Sequence, residues 1–284
     1  MNRTVSTKGL LYAFGFVIVA LTIATFWYDF YYWNFGASYS DEPLYEEDYD
    51  ELSYEGCNVA GIAIQGTLQT YGYFDPEAEF GDDIATSEEI AYSIELAEEE
   101  NGVRAILLEI DSYGGSPVAA QEIEAALGRI TKPVVVQIRE AGLSAAYWVA
   151  TAGDIIFASE LSDVGSIGVT QSYIDESKLN EKEGYTYNQL STGKFKDILS
   201  PEKPLTSEER QLLERDLQIT HDVFVKAVSE NRDLDINKVK ELADGSSMLG
   251  KMALENGLID RIGGFYEVEE YLKDLIGEEP SVCW

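Results

Sequence analysis

The stretch that decides the fold is residues 103–140, VRAILLEIDSYGGSPVAAQEIEAALGRITKPVVVQIRE. It begins with a short apolar run, passes through a glycine-rich turn into a segment with helical spacing, and ends with a second apolar run after Pro133. Continuous apolar runs of this length are typical of strands that are buried on both faces, as in parallel sheets. The order strand, helix, strand therefore predicts an α/β layered fold with parallel strands.

The flanking sequence continues this pattern. Further strands are predicted at 58–66, 154–159 and 165–173. Two longer helices, each beginning with a capping box, are predicted at 86–102 and 206–232. Two shorter helices are predicted at 235–243 and 250–256.

The charge of the chain excludes one class of function. The 284 residues carry a formal net charge of −32, and no Lys or Arg occurs between Lys8 and Arg104. Because such a surface repels phosphate groups, we expect no nucleic-acid partner. A strongly acidic surface is also an adaptation to high salt, and composition alone leaves that interpretation open.

The two cysteines, Cys57 and Cys283, lie near opposite ends of the region after residue 56. Two cysteines do not make a disulfide framework, so the sequence favours two unpaired thiols over a disulfide. No Cys-x-x-Cys pair or His/Cys cluster suggests a metal, and we expect neither a metal nor a cofactor.

The N-terminal segment predicts a membrane anchor. Residues 9–28 contain no charge, follow Arg3 and Lys8, and are long enough to cross a bilayer. The basic residues before the span place the N-terminus in the cytoplasm and the rest of the chain outside it. We therefore predict an N-terminal tip and single-pass anchor over residues 1–35 in the cell (inner) membrane, an acidic stalk over 36–56 and an extracytoplasmic domain over 57–284. A cleaved signal peptide is the alternative, and it leaves the domain outside as well.

Residues 139–154, REAGLSAAYWVATAGD, place Ser144 in a turn of small residues that begins a helix. The N–H groups at a helix N-terminus favour developing negative charge, but a serine nucleophile also needs a base. The single histidine, His221, lies midway along the long predicted helix, where a structural role is the simpler interpretation. A Ser-His-Asp triad is therefore not favoured.

A neutral lysine is the alternative base. Lysine has an ordinary pKa of about 10.4, which burial lowers. Residues 191–201, STGKFKDILSP, offer Lys194 and Lys196. The paired glycines of 111–117, DSYGGSP, leave backbone N–H groups that, with the amide after Ser144, form a candidate oxyanion hole.

Between residues 58 and 270, the chain resembles the SppA-type signal peptide peptidases, which are serine proteases with a Ser–Lys dyad. Five segments match motifs of that family in order, namely EIDSYGGSPVAAQEI (109–123), GLSAAYWVATAGDIIFA (142–158), VGSIGV (164–169), STGKFKDILSP (191–201) and ADGSSMLGKMALENGLIDRIGG (243–264).

The resemblance implies a role for each matching residue. Ser144 is the expected nucleophile and Lys196 the expected general base, since Phe195 fills the aromatic place before the family's lysine. Gly115 and the Ala145 amide are expected to form the oxyanion hole, and Ser166 to orient the lysine.

The resemblance also implies the Clp/crotonase-like fold of repeated ββα units and a homo-oligomer shaped as a ring or dome. In some such assemblies the serine and the lysine come from neighbouring protomers. The expected substrates are peptides, in particular remnant signal peptides or other short hydrophobic peptides at the membrane.

Departures from the family pattern keep other functions open. Tyr113 replaces a proline, and Ala145 and Ala146 replace two glycines. Alanine is tolerated there if the backbone is helical and strained if φ is positive. A catalytically impaired family member that acts as a membrane scaffold or regulator is the alternative. Acyl-CoA chemistry, which also occurs on this fold, is disfavoured by the acidic charge and by the predicted topology.

Overall fold

In the computed structural model, the structure describes residues 53–54, 56–72 and 84–284, together with Thr22 and Thr25. Every element below belongs to the compact unit Leu52–Trp284. Apart from Thr22 and Thr25, the predicted anchor over 9–28 lies outside the described residues, as does most of the predicted stalk. Among the residues that are described, no helix is both long enough and apolar enough to cross a membrane.

The centre of the unit is a largely parallel sheet, which confirms the predicted α/β class. The strands are β1 Val59–Gln69, β2 Ile84–Thr86, β3 Ala105–Gly115, β4 Val134–Leu143, β5 Ile155–Ala158, β6 Asp163–Gly165, β7 Ser247–Leu249, β8 Arg261–Ile262 and β9 Val282–Cys283. The main strands run in the order β2-β1-β3-β4-β5-β8, while β9 pairs with β1 and β6 pairs with β4 and β7. Only the β6–β7 pair is antiparallel among the described strands.

The described helices lie between and after the strands. They are α1 Ser87–Glu99, α2 Pro117–Leu127, α3 Ala145–Thr151, α4 Ser177–Glu183, α5 Ser207–Asn231, α6 Ile236–Leu242, α7 Gly250–Asn256 and α8 Phe265–Ile276. The side chains of Thr86 and Thr206 each accept a hydrogen bond from the backbone N–H three residues on, so both predicted N-caps are confirmed.

Two local predictions are wrong. The expected strand over 165–173 is limited to Gly165, because Ser166 has a φ of 50° and the chain leaves the ladder there. The expected turn after Ile110 is instead a continuation of β3 to Gly115, which pairs with Leu68 of β1 across a register shift. Helices α4 and α8 were not predicted.

Both faces of the central strands are covered, which explains their unbroken apolar sequence. On β3, Ile106 and Leu108 belong to the large core cluster beneath α1, α2, α3 and α5. Leu107, one residue out of step, packs on the other face with Val268 and Leu272 of α8. Burial of the apolar residues on both faces thereby holds the central strands in the sheet. The carboxyl ends of β3 and β4 lie at the edge of the sheet, where they can contribute residues to a site.

The two cysteines form a disulfide, contrary to the unpaired thiols that the sequence favoured. Strand β9 pairs in parallel with the start of β1, with Ala60 opposite Cys283, and the Cα atoms of Cys57 and Cys283 are 5.9 Å apart. The two cysteines are 226 positions apart in sequence and are brought together by the pairing of β9 with β1, so the sequence offered no local signal for the disulfide.

Candidate active site

A cleft of about 680 Å³ opens at the carboxyl ends of the central strands. Ser144 follows β4, Gly115 ends β3, and Ser166 follows β6, so three neighbouring strands each deliver one predicted residue to it. The carboxyl ends of parallel strands are the usual place for a binding crevice in α/β sheets. Four of the five predicted site residues line this cleft, namely Gly115, Ser144, Ala145 and Ser166.

Ser144 sits at the sharp corner between β4 and α3. Its φ of 53° and ψ of −124° are uncommon for a residue with a Cβ atom, and such strain persists only where the surroundings impose it. Its N–H donates to the Gly165 carbonyl at 2.8 Å, and its carbonyl accepts from the Trp148 N–H at 3.0 Å. The corner is therefore fixed from both sides.

Buried aromatic side chains anchor the helix behind Ser144. The Tyr147 hydroxyl donates to the Leu258 carbonyl at 2.8 Å, and burial raises the pKa of Tyr147, which keeps it a donor. The Trp148 indole donates to Glu124 at 3.0 Å and stacks on Phe224 with ring centroids 5.1 Å apart. Because these groups hold α3, the orientation of the serine depends on the core.

Ala145 and Ala146 are the first two residues of helix α3. Both are buried and neither has a positive φ, so alanine fits this backbone without strain. The N–H groups of the first helical turn have no acceptor within their own helix. The Ala145 N–H is therefore available on the lining of the cleft, beside Ser144.

The paired glycines are required by close backbone approach. A Cβ atom on Gly114 would lie 2.8 Å from the Leu143 carbonyl oxygen, and one on Gly115 would lie 2.1 Å from the Leu68 carbonyl oxygen. Their φ angles are 103° and 152°. Ser112 supports this end of β3, since its hydroxyl donates to the Gly66 carbonyl at 2.5 Å and accepts from the Gly114 N–H at 3.1 Å.

Ser166 lines the cleft, but its hydroxyl bonds to backbone. It donates to the Gly245 carbonyl at 3.0 Å, and the Ser166 N–H donates to the Ser246 carbonyl at 3.1 Å. The Gly245 N–H returns a bond to the Ile167 carbonyl at 3.1 Å. Ser166 thus ties the 243–246 loop to the cleft, and its predicted role toward Lys196 stays a prediction.

Lys196 is the predicted residue that the structure does not place on the cleft lining. It lies in a series of turns and is exposed. Its backbone N–H donates to the Gly193 carbonyl at 3.2 Å. The neighbouring Lys194 forms an ion pair with Glu208 and lies over the Phe195 ring.

His221 is a residue whose position the sequence interpretation missed. It is half-buried and lines the same cleft as Ser144, with its Nε2 atom 3.1 Å from the Ala243 carbonyl oxygen. Because a carbonyl only accepts, Nε2 carries the proton in this contact. The spacing to Phe224 and Val225, both buried, was a signal that this histidine lies on the inner face of α5.

The polar contacts of the cleft do not form a Ser-His-Asp relay. Within residues 84–284, no hydrogen bond joins His221 to Ser144 or to Asp244, the acidic residue of the lining. The Asp244 carboxylate accepts bonds from the hydroxyl and N–H of Ser246 at 2.6 and 2.9 Å, which hold the pKa of Asp244 below its ordinary value.

Comparisons with known proteins identify a peptidase family and several relatives that are named as proteases. The sequence profile of peptidase family S49 matches residues 126–278. A protein of Enterococcus faecium that is named as a candidate signal peptide peptidase SppA is 36% identical over 179 residues, which cover 62% of this chain and 52% of that protein.

Two further relatives extend the comparison. The chloroplastic serine protease SPPA of Arabidopsis thaliana is 33% identical over 181 residues, which cover 63% of this chain and 27% of that protein. Protease 4 of Haemophilus influenzae is 29% identical over 228 residues, which cover 79% of this chain and 36% of that protein. The match thus spans about half the length of the Enterococcus relative and less of these two.

Proposed function

The chain belongs to peptidase family S49, and on this premise we propose that it is a membrane-anchored serine endopeptidase with a Ser144–Lys196 dyad. The observation that carries the proposal is the strained Ser144 corner, which shares one cleft with Gly115 and the first amide of α3. The proposed fold is the Clp/crotonase-like arrangement of ββα units, with which the parallel strand order is compatible.

Each residue has one task in the proposed reaction. The Ser144 hydroxyl attacks the peptide carbonyl carbon while the neutral Lys196 amine takes its proton. The N–H groups of Gly115 and Ala145 stabilise the negative charge on the carbonyl oxygen. The resulting lysine ammonium protonates the departing amine, and a water molecule, activated by the same lysine, then releases the acyl group from Ser144.

The exposed position of Lys196 supports a catalytic site shared between copies. The resemblance implies that some family members combine the serine of one protomer with the lysine of its neighbour. We propose the same arrangement for this chain, in a ring- or dome-shaped homo-oligomer. A single protomer is then inactive because its cleft contains the nucleophile without the base.

The proposed substrates are short, extended, largely apolar peptides such as remnant signal peptides. The aromatic rings of Trp148 and Phe224 and the side chain of Val169 on the cleft lining support this choice. The proposed location of the domain is outside the cytoplasm, tethered by residues 9–28. The Cys57–Cys283 disulfide supports that location because disulfides persist in oxidising compartments.

A catalytically impaired scaffold is the alternative. The reason for this alternative is that Ala145 and Ala146 replace two glycines, which would strain the backbone if φ were positive. Both positions are helical, so this steric argument does not apply. The retained Ser144 and Lys196 favour an active enzyme.

The test is labelling of the full chain, purified in detergent, by a fluorophosphonate probe between pH 6 and 10. Ser144→Ala, Lys196→Ala and His221→Ala are compared with the wild type. We expect labelling of the wild type to increase with pH along a single titration curve with a basic midpoint. Labelling should disappear in Ser144→Ala and Lys196→Ala and persist in His221→Ala. Labelling that persists in Lys196→Ala and disappears in His221→Ala would refute the dyad. A folded oligomer that is not labelled would favour the scaffold.

A further inference from the structure

A compact polar cluster lies beside the turn that carries Lys196. The Lys203 ammonium is 2.5 Å from Glu209 Oε1 and 3.8 Å from Asp197 Oδ1. The exposed side-chain fractions are only 19% for Lys203, 14% for Asp197 and 3% for Glu209. The three charges are therefore largely removed from solvent, although the surrounding segment contains no buried residue between 168 and 208.

Glu209 fixes the cluster to the helix α5. Its Oε2 atom accepts bonds from the N–H and the hydroxyl of Thr206, at 2.9 and 2.8 Å, while its Oε1 atom accepts from Lys203. These bonds, led by the one from Lys203, lower the pKa of Glu209 to about 2. The bond to Glu209 correspondingly raises the pKa of Lys203, so both groups are charged at neutral pH.

Asp197 is held on both carboxylate oxygens. Tyr187 donates its hydroxyl to Oδ2 at 2.9 Å, and the Gln189 amide donates to Oδ1 at 2.6 Å. Lys203 faces the same Oδ1 atom. All three partners hold the carboxylate within the cluster.

The sequence position of Asp197 makes this arrangement chemically important. Asp197 directly follows Lys196, and consecutive Cα atoms are about 3.8 Å apart. The two residues lie in turns rather than on a strand, so strand alternation does not separate their side chains. A free carboxylate within about 4–6 Å of an amine favours the protonated ammonium, which is not a base.

From this geometry we infer that Lys203 is a positioning residue for the reaction: by binding the Asp197 carboxylate, it leaves Lys196 without an acidic partner and available as a neutral amine. The inference rests on the proposed role of Lys196 as the general base. It holds whether Lys196 serves its own protomer or a neighbour, because Asp197 always accompanies it.

Two other charged groups near this turn have partners of their own. Lys194 is paired with Glu208, and Glu202 accepts from the Asn180 amide at 2.5 Å. Tyr187 is the remaining titratable group of the cluster, and its bond to Asp197 raises its pKa. Loss of Lys203 therefore leaves the Asp197 carboxylate as the group that Lys196 meets first.

The experiment uses the full chain and the same probe, and it measures the midpoint pH of labelling. The main variant is Lys203→Met/Glu209→Gln, which removes the buried pair together and leaves no unpaired Glu209. Adding Asp197→Asn to it removes the carboxylate as well. The matched control is Lys194→Met/Glu208→Gln, which removes an exposed pair from the same segment at the same change of charge.

We expect the main variant to raise the midpoint by about one pH unit, which corresponds to a roughly tenfold slower labelling at pH 7.5. Adding Asp197→Asn should return the midpoint to the wild-type value, and the control should not move it. Thermal unfolding and oligomer size verify that each variant is folded. Asp197→Asn alone, which keeps the Lys203–Glu209 pair, should leave the midpoint within about 0.3 units of wild type.

A main variant that labels more slowly at every pH with an unchanged midpoint would overturn the inference, because the cluster would then be merely structural. An alkaline midpoint that Asp197→Asn does not restore would overturn it too. Failure of the proposed function has a different result, since labelling would then either survive Lys196→Ala or be absent from the folded wild type.

Discussion

The segment around Ser144 and the segment around Lys196 differ in what holds them in place. Ser144 lies between a buried strand and a buried helix, and the backbone around it is packed against Gly114, Gly165 and the aromatic core. Lys196 lies in a run of forty-one residues, 168–208, that are all exposed or half-buried and are held by hydrogen bonds and ion pairs.

This difference teaches where each half of the proposed dyad gets its geometry. Apolar packing is dense and stiff, so the nucleophile and its oxyanion donors are arranged before any partner arrives. Polar contacts at a surface are weaker and compete with water. The position of the proposed base, Lys196, therefore depends on the small polar cluster beside it. Under the proposed function it depends on formation of the homo-oligomer as well.

The largest expected effect comes from a glycine on the serine side. Gly115→Ala should reduce labelling by about 10²–10³-fold, because a Cβ atom displaces the end of β3 and with it one oxyanion donor. The matched control on the lysine side is Gly184→Ala, which has a φ of 84° but no atom within 4 Å of the added Cβ. It should cost only backbone strain of about 1 kcal/mol and retain labelling. Equal losses in the two variants would contradict the comparison.

Next in size is the effect of the disulfide. Cys57→Ser/Cys283→Ser should lower the free energy of unfolding by about 2–4 kcal/mol, since the crosslink closes a very long loop. Urea unfolding measures it, and labelling should keep its midpoint pH because neither segment of the dyad touches β9. A shifted midpoint would show that the two halves are coupled through the sheet edge.

A smaller effect is expected from restoring glycine after the nucleophile. Ala145→Gly/Ala146→Gly should lower the free energy of unfolding by about 1–2 kcal/mol, because glycine is disfavoured in a helix. The control is Ala125→Gly on the exposed face of α2. It measures how much one alanine-to-glycine change in a helix away from the cleft lowers the free energy of unfolding. Labelling should not increase. A gain in labelling would revive the impaired-scaffold alternative.

The last effect is on stability at low pH, and it concerns the segment around Lys196. The folded-state pKa of Glu209 is lowered to about 2 from an ordinary 4.5, so its stabilisation is complete above pH 4.5 and is lost as the pH falls toward 2. Glu209→Gln should therefore be less stable than wild type at pH 6, with a difference that shrinks between pH 4.5 and 2. Denaturation at a series of pH values measures this difference. A stability difference for Glu209→Gln that does not change with pH would remove this residue from the cluster.

Much of the fold was predictable because its signals are local. The apolar runs of β3 and β4 identified a parallel sheet, since strands buried on both faces leave no polar positions. The caps at Thr86 and Thr206 identified two helix starts. The family followed from five short motifs in order. Helices α4 and α8 and strands β2, β7, β8 and β9 were not predicted. The four strands are only two or three residues long and exist only through their partners.

The candidate site was predictable in part for the same reason. Ser144, Gly115, Ala145 and Ser166 each end or follow a strand, and parallel strands bring such residues to one edge. The place of His221 on that cleft needed the packing of α5 against α3. The Asp197–Lys203–Glu209 cluster has no sequence signature, because its members join a turn to a helix start.

By itself, the sequence determined the α/β class, the family and the four residues that meet in the cleft, since these depend on hydrophobic periodicity and short motifs. Only the tertiary structure decided that the cysteines pair, that Ala145 and Ala146 are helical, that Ser144 is strained, and that Lys196 stands apart from the cleft on a polar cluster. Those outcomes depend on contacts between residues distant in the chain, and free energies of packing and charge pairing depend on separation in space rather than in sequence.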